Sequence, residues 1–291
     1  MKKILITGKS SYIGQSLIRW LDGNEDYLID ELDVRDNCWK NKCFSEYDVV
    51  FNVAGIAHVK PTLDKKDLFF AINKDLAIEL AKKAEDEGVK QFIYMSSMNV
   101  FGDVAGRVTK NTKPRPTSYY GQSKLEADEY VHKLNSEKFK VVSLRPPMVY
   151  GNGCKGNYQI LSKFAKTSPI FPKYKNLRSM IFIDNLSEFI KLVIDNEVSG
   201  ILYPQNKEYI CTSDMVKELA NVANHKIILV LGFNWLIKLL TKRIKIFNKV
   251  YGNEIYSMEM SNTFDFEYDN IQFKSTIIKS ENDYIDMNIL V

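Results

Sequence analysis

The chain has 291 residues, 45% of them hydrophobic and 26% charged, a globular mixture that excludes a disordered chain, a collagen-like fibre or a disulfide scaffold. Its 40 basic and 36 acidic residues leave a net charge of +4, too small an excess to argue a nucleic-acid partner. Cys38, Cys43, Cys154 and Cys211 form no CxxC pair and have no histidine at metal spacing, so free thiols in a reducing cytosol are expected, with no metal site. The opening MKKILITG has no long apolar region or cleavage site, and no segment reaches the ~18 uncharged apolar residues of a membrane span. The longest apolar stretch, Ile227 to Leu240, is broken by Gly232, Asn234 and Lys238. A soluble, cytoplasmic protein is the expectation.

Short β-branched runs alternate with stretches of helical period. Lys3–Thr7 reads as a buried strand, Ile13–Leu21 as a helix, Tyr27–Val34 as an extended stretch and Asp48–Val53 as a strand. Lys66–Glu87 reads as one long helix, with apolar residues at Phe69, Ile72, Leu76, Leu80 and Ala84 and a stop at Gly88. Gln91–Ser96 is a strand, Tyr119–Asn135 a helix and Lys140–Arg145 a strand. This alternation predicts βαβ units and an α/β doubly wound parallel sheet covered on both faces. Past Pro146–Pro147 come glycines 151, 153 and 156. They are followed by helices near Tyr158–Lys166, Asn185–Asp195 and Ser213–Val222 and a strand at Met180–Ile183. The division expected is a dinucleotide-binding domain over 1–150, with 180–203 returning to it as an open alternative, and a smaller substrate-binding part over 151–291. The last 40 residues carry weak signals, and with no linker in view the C-terminal part is expected to pack on the first.

The first strand ends in TGKSSYIG. So tight a strand-to-helix turn needs Gly8 where backbone folds without Cβ interference, and Gly14 lets the helix approach the sheet. The N–H groups of the helix start suit a pyrophosphate. Ser11 stands where the middle glycine of such a pattern usually lies. An acid about 20 residues further on should meet the adenosine ribose; Asp30 and Asp33 both qualify. Arg35 could hold a 2′-phosphate, which leaves NAD and NADP both open.

YGQSK puts Tyr120 and Lys124 four apart, on one helix face. A free tyrosine, with a pKa of about 10, is a poor base at neutral pH, but a neighbouring ammonium would stabilise its phenolate. Tyr120 could then exchange a proton with a sugar hydroxyl while Ser97, ending QFIYMSS, hydrogen-bonds the same oxygen.

The ordered motifs TGKSSYIG, NVAGIAH, AINKDLAIELA, FIYMSSMNVFG, YGQSK, LRPPMVYG and RSMIFIDNL, over roughly residues 3–205, resemble the extended short-chain dehydrogenase/reductases. The likeness is to the NAD-dependent epimerase/dehydratase type acting on nucleotide sugars, and among these to short capsule- and O-antigen-type epimerases and 4-keto reductases. That resemblance implies a Rossmann-like fold, NAD or NADP as cofactor and a nucleotide-diphosphate sugar as substrate. It makes Ser97, Tyr120 and Lys124 the catalytic set, and places the pyrophosphate on Gly8, Ser11, Tyr12, Ile13 and Gly14. Asp33 and Val34 would border the adenine, Ala54, Gly55 and Ala57 line the dinucleotide, Asn73 support it, and Pro147 and Met148 sit beside the nicotinamide. Asn157 and Arg178 would meet the substrate diphosphate. A homodimer through the helices near 66–88 and 118–136 is likewise implied.

Departures from the pattern fall at Ser11, at Ser179 where an acid usually follows the arginine, and in the stretch before LDVRD, where the second strand and its ribose-binding acid read as compressed or missing. The first functional reading is a nucleotide-sugar 4-epimerase in surface-polysaccharide precursor synthesis. A 4-keto-6-deoxy-sugar reductase is the alternative, and a non-catalytic dinucleotide sensor a third. A 4,6-dehydratase is disfavoured because Met98 and Asn99, not acids, follow Ser97. His58, His132 and His225 are scattered and read as structural, and Arg107 and Lys110 as solvated loop residues. Residues 235–251, WLIKLLTKRIKIFNKVY, contain no acid. They read as a basic amphipathic helix, for which docking on the substrate part is expected and an anionic membrane surface is the rival.

Overall fold

The computed structural model describes residues 1–57, 59, 62–102, 106–262 and 264–282; His58 lies outside them. Strand β1 (Lys2–Thr7) buries Ile4, Leu5 and Ile6 completely, the unbroken apolar run of a strand covered on both faces. Helix α1 (Tyr12–Leu21) follows directly, and β2 (Tyr27–Leu32) pairs in parallel with β1, from Lys2 opposite Tyr27 to Thr7 opposite Leu32. The compression expected here therefore falls elsewhere. The second strand is full length, and it is residues 33–48 that add no strand outside it. They form a short helical turn at Asn37–Asn41, and Trp39, Phe44 and Tyr47 fill that edge with buried rings.

The chain continues through β3 (Val49–Asn52), α2 (Lys66–Phe70), α3 (Leu76–Asp86), β4 (Gln91–Met95), β5 (Gly106–Val108), α4 (Tyr119–His132) and β6 (Lys140–Leu144). Next come β7 (Met148–Tyr150), α5 (Asn157–Thr167), β8 (Ile170–Pro172), β9 (Met180–Phe182), α6 (Ile183–Asp195) and β10 (Gly200–Leu202). The C-terminal stretch holds α7 (Thr212–Val222), β11 (Ile228–Val230), α8 (Asn234–Arg243), α9 (Lys245–Tyr251), β12 (Glu254–Tyr256), α10 (Met258–Ser261) and α11 (Phe273–Glu281).

Six parallel strands form the central sheet in the order β2-β1-β3-β4-β6-β10. The order reverses between β1 and β3, and ligands of such sheets bind outside the strands' carboxyl ends at that point. Helices α1 and α6 cover one face and α3 and α4 the other, each layer with its own apolar core. Parallel pairs of short strands, β7 with β9 and β5 with β12, join the C-terminal part to the first, while β8 pairs with β11 within it. Arg107 accordingly lies in a strand, opposite Ile255. The Tyr150 hydroxyl meets Thr276 Oγ1 at 2.8 Å, and Tyr256 donates to the Arg145 carbonyl at 2.9 Å.

Two expected helices are interrupted. The helix predicted over 66–87 contains a π turn at Ala71–Asp75, and the Asn73 carbonyl receives the Tyr94 hydroxyl at 2.9 Å. Such bulges recur beside functional sites. The basic helix predicted over 235–251 breaks at Ile244.

Candidate active site

The glycine turn is shaped by what surrounds it. Gly8 has φ +103°, and a methyl group there would lie 2.8 Å from the Ala54 nitrogen. One at Gly14 would lie 2.6 Å from Ser11 Oγ and 3.0 Å from Ile6. Ser11, in the place of a glycine, caps α1: its Oγ accepts the Gly14 N–H at 3.2 Å. Its side chain thus turns back onto the helix, and the first-turn amides of Tyr12 and Ile13 stay at the positive end of the helix dipole. Ser10 takes the left-handed conformation, φ 64°, and donates its N–H to Glu31 at 2.9 Å. Glu31, which sequence reasoning passed over, also accepts Gln15 Nε2 at 2.7 Å and so braces the loop from the end of β2.

Of the two acids left open, Asp30 accepts the Tyr47 hydroxyl at 2.6 Å within the strand. Asp33 follows the strand's carboxyl end, and its carboxylate takes the Arg35 Nε at 2.9 and 3.0 Å. Those hydrogen bonds lower its pKa to about 2. Val34, Arg35, Trp39, Ala71 and Leu76 border an adjoining cleft of about 370 Å³. Trp39 was not singled out from the sequence, and Leu76 was read only as part of its helix's apolar face, since nothing in the spacing ties either to Val34.

Ala54 donates its N–H to Asn52 Oδ1 at 3.1 Å, which fixes the turn carrying Gly55 and Ala57. Asn73 is fully buried: its Oδ1 accepts the Ile56 N–H at 2.8 Å and its Nδ2 donates to the Ile56 carbonyl at 3.1 Å. It holds the turn's main chain. A methyl at Gly55 would lie 2.9 Å from Asn73 Oδ1 and 3.2 Å from Lys124 Nζ, so the loop and the lysine meet there.

Ser97 ends the segment after β4. Its Oγ accepts Asn99 N at 3.2 Å and Asn99 Nδ2 at 3.0 Å, leaving its own proton to donate. It hydrogen-bonds the Tyr120 hydroxyl, which offsets part of the rise that burial imposes on that phenol. The Tyr120 ring is half-buried, edge-on to Phe69 with centroids 6.3 Å apart. Lys124 is buried, donates to the Met95 carbonyl at 2.7 Å and sits over the Tyr94 ring. Burial lowers its pKa to about 8, with Asp128 pulling the other way. The ammonium is thus bonded to backbone rather than to the phenol oxygen, and Tyr120 stays above its ordinary value.

Asp128 extends the row by one more turn. Wholly buried, it accepts Arg145 Nε at 2.7 Å and Ser96 Oγ at 3.0 Å. His132 follows, its Nε2 3.7 Å from Asp128. Burial lowers the His132 pKa, and Asp128 opposes that. Neither Asp128 nor Arg145 was singled out from the sequence, although residues 120, 124 and 128 fall at successive turns of one helix face. The Met98 N–H donates to the Pro146 carbonyl at 2.9 Å, bringing Pro147 and Met148 beside the Ser97 segment.

Of the two residues expected to meet the substrate, Asn157 is the first residue of α5, after Gly156. Arg178 is buried and spends its guanidinium on Glu254 and the Gly252 carbonyl, so its charge is already paired. The elements that carry the two differ, and only Arg178 has a resolved charged partner.

The turn fits a dinucleotide: the two glycines lie where a methyl group would collide, the loop amides sit at a helix N-terminus, and an ionised acid stands at the end of β2. Residues 4–203 match the NAD dependent epimerase/dehydratase family. The chain is 27% identical over 281 residues to UDP-glucose 4-epimerase of Vibrio cholerae, covering 86% of this chain and 83% of that one. It is 25% identical over 245 residues to N-acetyl-alpha-D-glucosaminyl-diphospho-ditrans,octacis-undecaprenol 4-epimerase of Escherichia coli O157:H7, covering 77% and 73%. In fold it resembles a dTDP-4-dehydrorhamnose reductase from Clostridium acetobutylicum, with a TM-score of 0.75, 20% identity and coverage of 96% and 98%. A parallel sheet with a glycine turn at its reversal point, matched over more than half its length, makes this chain a member of the NAD dependent epimerase/dehydratase family and an NAD(P)-dependent enzyme.

Proposed function

We propose that the chain epimerises carbon 4 of a nucleotide-diphosphate hexose or N-acetylhexosamine, in the cytoplasm, for surface-polysaccharide precursors. The observation that carries this is the placement of Ser97 after the carboxyl end of β4 and of Tyr120 and Lys124 on the first two turns of α4, with Ser97 against the phenol and Lys124 against the Gly55 loop. Gly8, Ser11, Tyr12, Ile13 and Gly14 would hold the cofactor's pyrophosphate. Asp33 and Val34 would border its adenosine, Ala54, Gly55, Ala57 and Asn73 shape the wall behind it, and Pro147 and Met148 flank its nicotinamide. When bound, that cofactor supplies hydride acceptance and return at the sugar carbon. Tyr120 takes the proton of the 4-hydroxyl and later gives one back. Ser97, its oxygen held by Asn99, donates to the same sugar oxygen. Lys124, one helical turn from the phenol, keeps a positive charge between the Met95 carbonyl and the Gly55 loop below pH ~8. Asn157 and Arg178 receive the diphosphate, with Glu254 as the competitor Arg178 must leave.

Epimerisation stands ahead of 4-keto reduction because two relatives acting at carbon 4, named above, are epimerases. An epimerase regenerates its cofactor and keeps it, so denaturing the purified protein should release NAD. No retained cofactor, with stoichiometric NAD(P)H consumption by a 4-keto sugar, would leave the reductase. Tyr120→Phe separates either enzyme from a dinucleotide sensor: turnover should fall by ~10²–10⁴ with dinucleotide still bound. The exposed Leu63, just before α2, and Leu68, within it, support a homodimer through α2, α3 and α4, which sedimentation velocity tests. A second substrate reading, the same chemistry on a sugar carried by a lipid diphosphate, is favoured by the exposed basic segment around Trp235.

A further inference from the structure

Between Glu218 and Glu254 the chain has no acidic residue but six bases: Lys226, Lys238, Lys242, Arg243, Lys245 and Lys249. The same stretch holds the densest run of exposed large apolar side chains among the described residues. Trp235 is 71% exposed, Leu231 70% and Ile228 65%, with Phe233 and Leu239 about half exposed. Helix α8 is anchored by Ile237 alone, which is buried, with Leu236 and Leu240 partly so. The apolar side chains of α8 are thus divided between two sides of the helix. Its Leu236 and Leu240 pack on the protein while Trp235 and Leu239 stay outside, beside the exposed Lys238 and Lys242. Ile228 extends the apolar surface to the edge of β11, where it pairs with the exposed Ile170 of β8.

A soluble surface does not leave a tryptophan and four large aliphatic or aromatic neighbours in water without a use for them. The mixture here, one aromatic anchor, aliphatic side chains and bases with no counter-charge, matches an interface of headgroup and acyl chain. A protein partner of acidic character would match the charge but leave the exposed Leu231, Phe233 and Trp235, which precede the bases of α8, without an apolar counterpart. No described helix is long and apolar enough to cross a membrane, so the contact is peripheral. The segment is also joined to the candidate substrate subsite: the Val250 and Gly252 carbonyls at the end of α9 receive Asn176 Nδ2 at 3.2 and 3.3 Å, and Gly252 also receives Arg178.

We infer that residues 228–243 are a docking surface for an anionic phospholipid bilayer, with Trp235 and Leu239 inserted among the acyl chains and Lys238 and Lys242 on the headgroups. The surface stands whichever sugar the active site takes, because its test involves no substrate. The full chain is floated with vesicles of phosphatidylcholine, alone or mixed with phosphatidylglycerol. The protein should rise with the mixed vesicles at low salt, remain below with phosphatidylcholine alone, and be released by added salt. Lys238→Glu with Lys242→Glu should weaken that partition about twentyfold or more, and Trp235→Ala should weaken it independently. These residues are exposed, so the variants should keep the wild-type melting curve. Protein that stays below in every mixture overturns the inference. So does binding that the charge reversals leave unchanged, which would put the contact elsewhere. So does a dimer lost in Trp235→Ala without any vesicle binding, which would make a second copy the occupant.

Discussion

Asp128→Asn removes one charge from the buried row while keeping its shape. The groups facing that carboxylate are Lys124 and His132 on α4, Ser96 beyond β4, Arg145 beyond β6, and the phenols Tyr94, Tyr203 and Tyr256. Lys124 is held down to about 8 by burial, and Asp128 is what keeps it from falling further. Opposite charges one helical turn apart, at ~6 Å and an effective dielectric of ~20, attract by ~3 kcal/mol. That corresponds to about 2 pH units. Arg145 shares the carboxylate, so about half of this, roughly one unit, should reach Lys124. The sign follows: without Asp128 the ammonium loses its proton at lower pH. The alkaline limb of kcat/KM, expected near pH 8 in the wild type from the lysine's value, should therefore move about one unit toward acid. Arg145 also loses its partner, at a cost of ~3 kcal/mol, which a domain of ordinary stability survives. The assay is a kcat/KM profile from neutral to alkaline pH, with a melting curve for each protein. A folded variant whose alkaline limb stays in place would refute the coupling and leave Asp128 a structural partner of Arg145 only.

Three further outcomes follow from the geometry. Gly8→Ala puts a methyl 2.8 Å from the Ala54 nitrogen at φ +103°; it should cost at least ~1–2 kcal/mol of stability and abolish dinucleotide retention, read by melting and by cofactor release. Asp33→Ala, at a partly exposed carboxylate, should weaken NAD binding about tenfold with kcat little changed, read by titration calorimetry. Leu17→Ala, in the wholly buried contact between α1 and the sheet, should cost ~2–5 kcal/mol by denaturant titration while leaving the pH profile in place.

The α/β alternation was legible because a parallel strand buried on both faces carries an unbroken apolar run, as Ile4–Ile6 of β1, Val49–Phe51 of β3 and Phe92–Met95 of β4 do. The glycine turn was legible for a similar reason: Gly8 answers to backbone crowding at a positive φ, and Gly14 to the side chains of Ser11 and Ile6 that close over it. The spacing of Tyr120 and Lys124 placed them on one helix face without any coordinates. Other features depend on partners far away in sequence. Asp128 meets Arg145 only because α4 lies against the end of β6, and Glu31 braces the glycine turn only because β2 runs beside β1. The π turn at Ala71–Asp75 left the apolar period of the helix intact and so gave no sign of itself.

Local chemistry thus determined the fold class, the glycine turn after β1 and the lysine–tyrosine pair, since each is a matter of spacing within one or two elements. Tertiary packing alone decided the lysine's low proton affinity, the pairing of Arg178 with Glu254 and the outward face of Trp235. Desolvation, charge pairing and exposure are set by what lies across the fold, and a linear pattern holds no record of those neighbours.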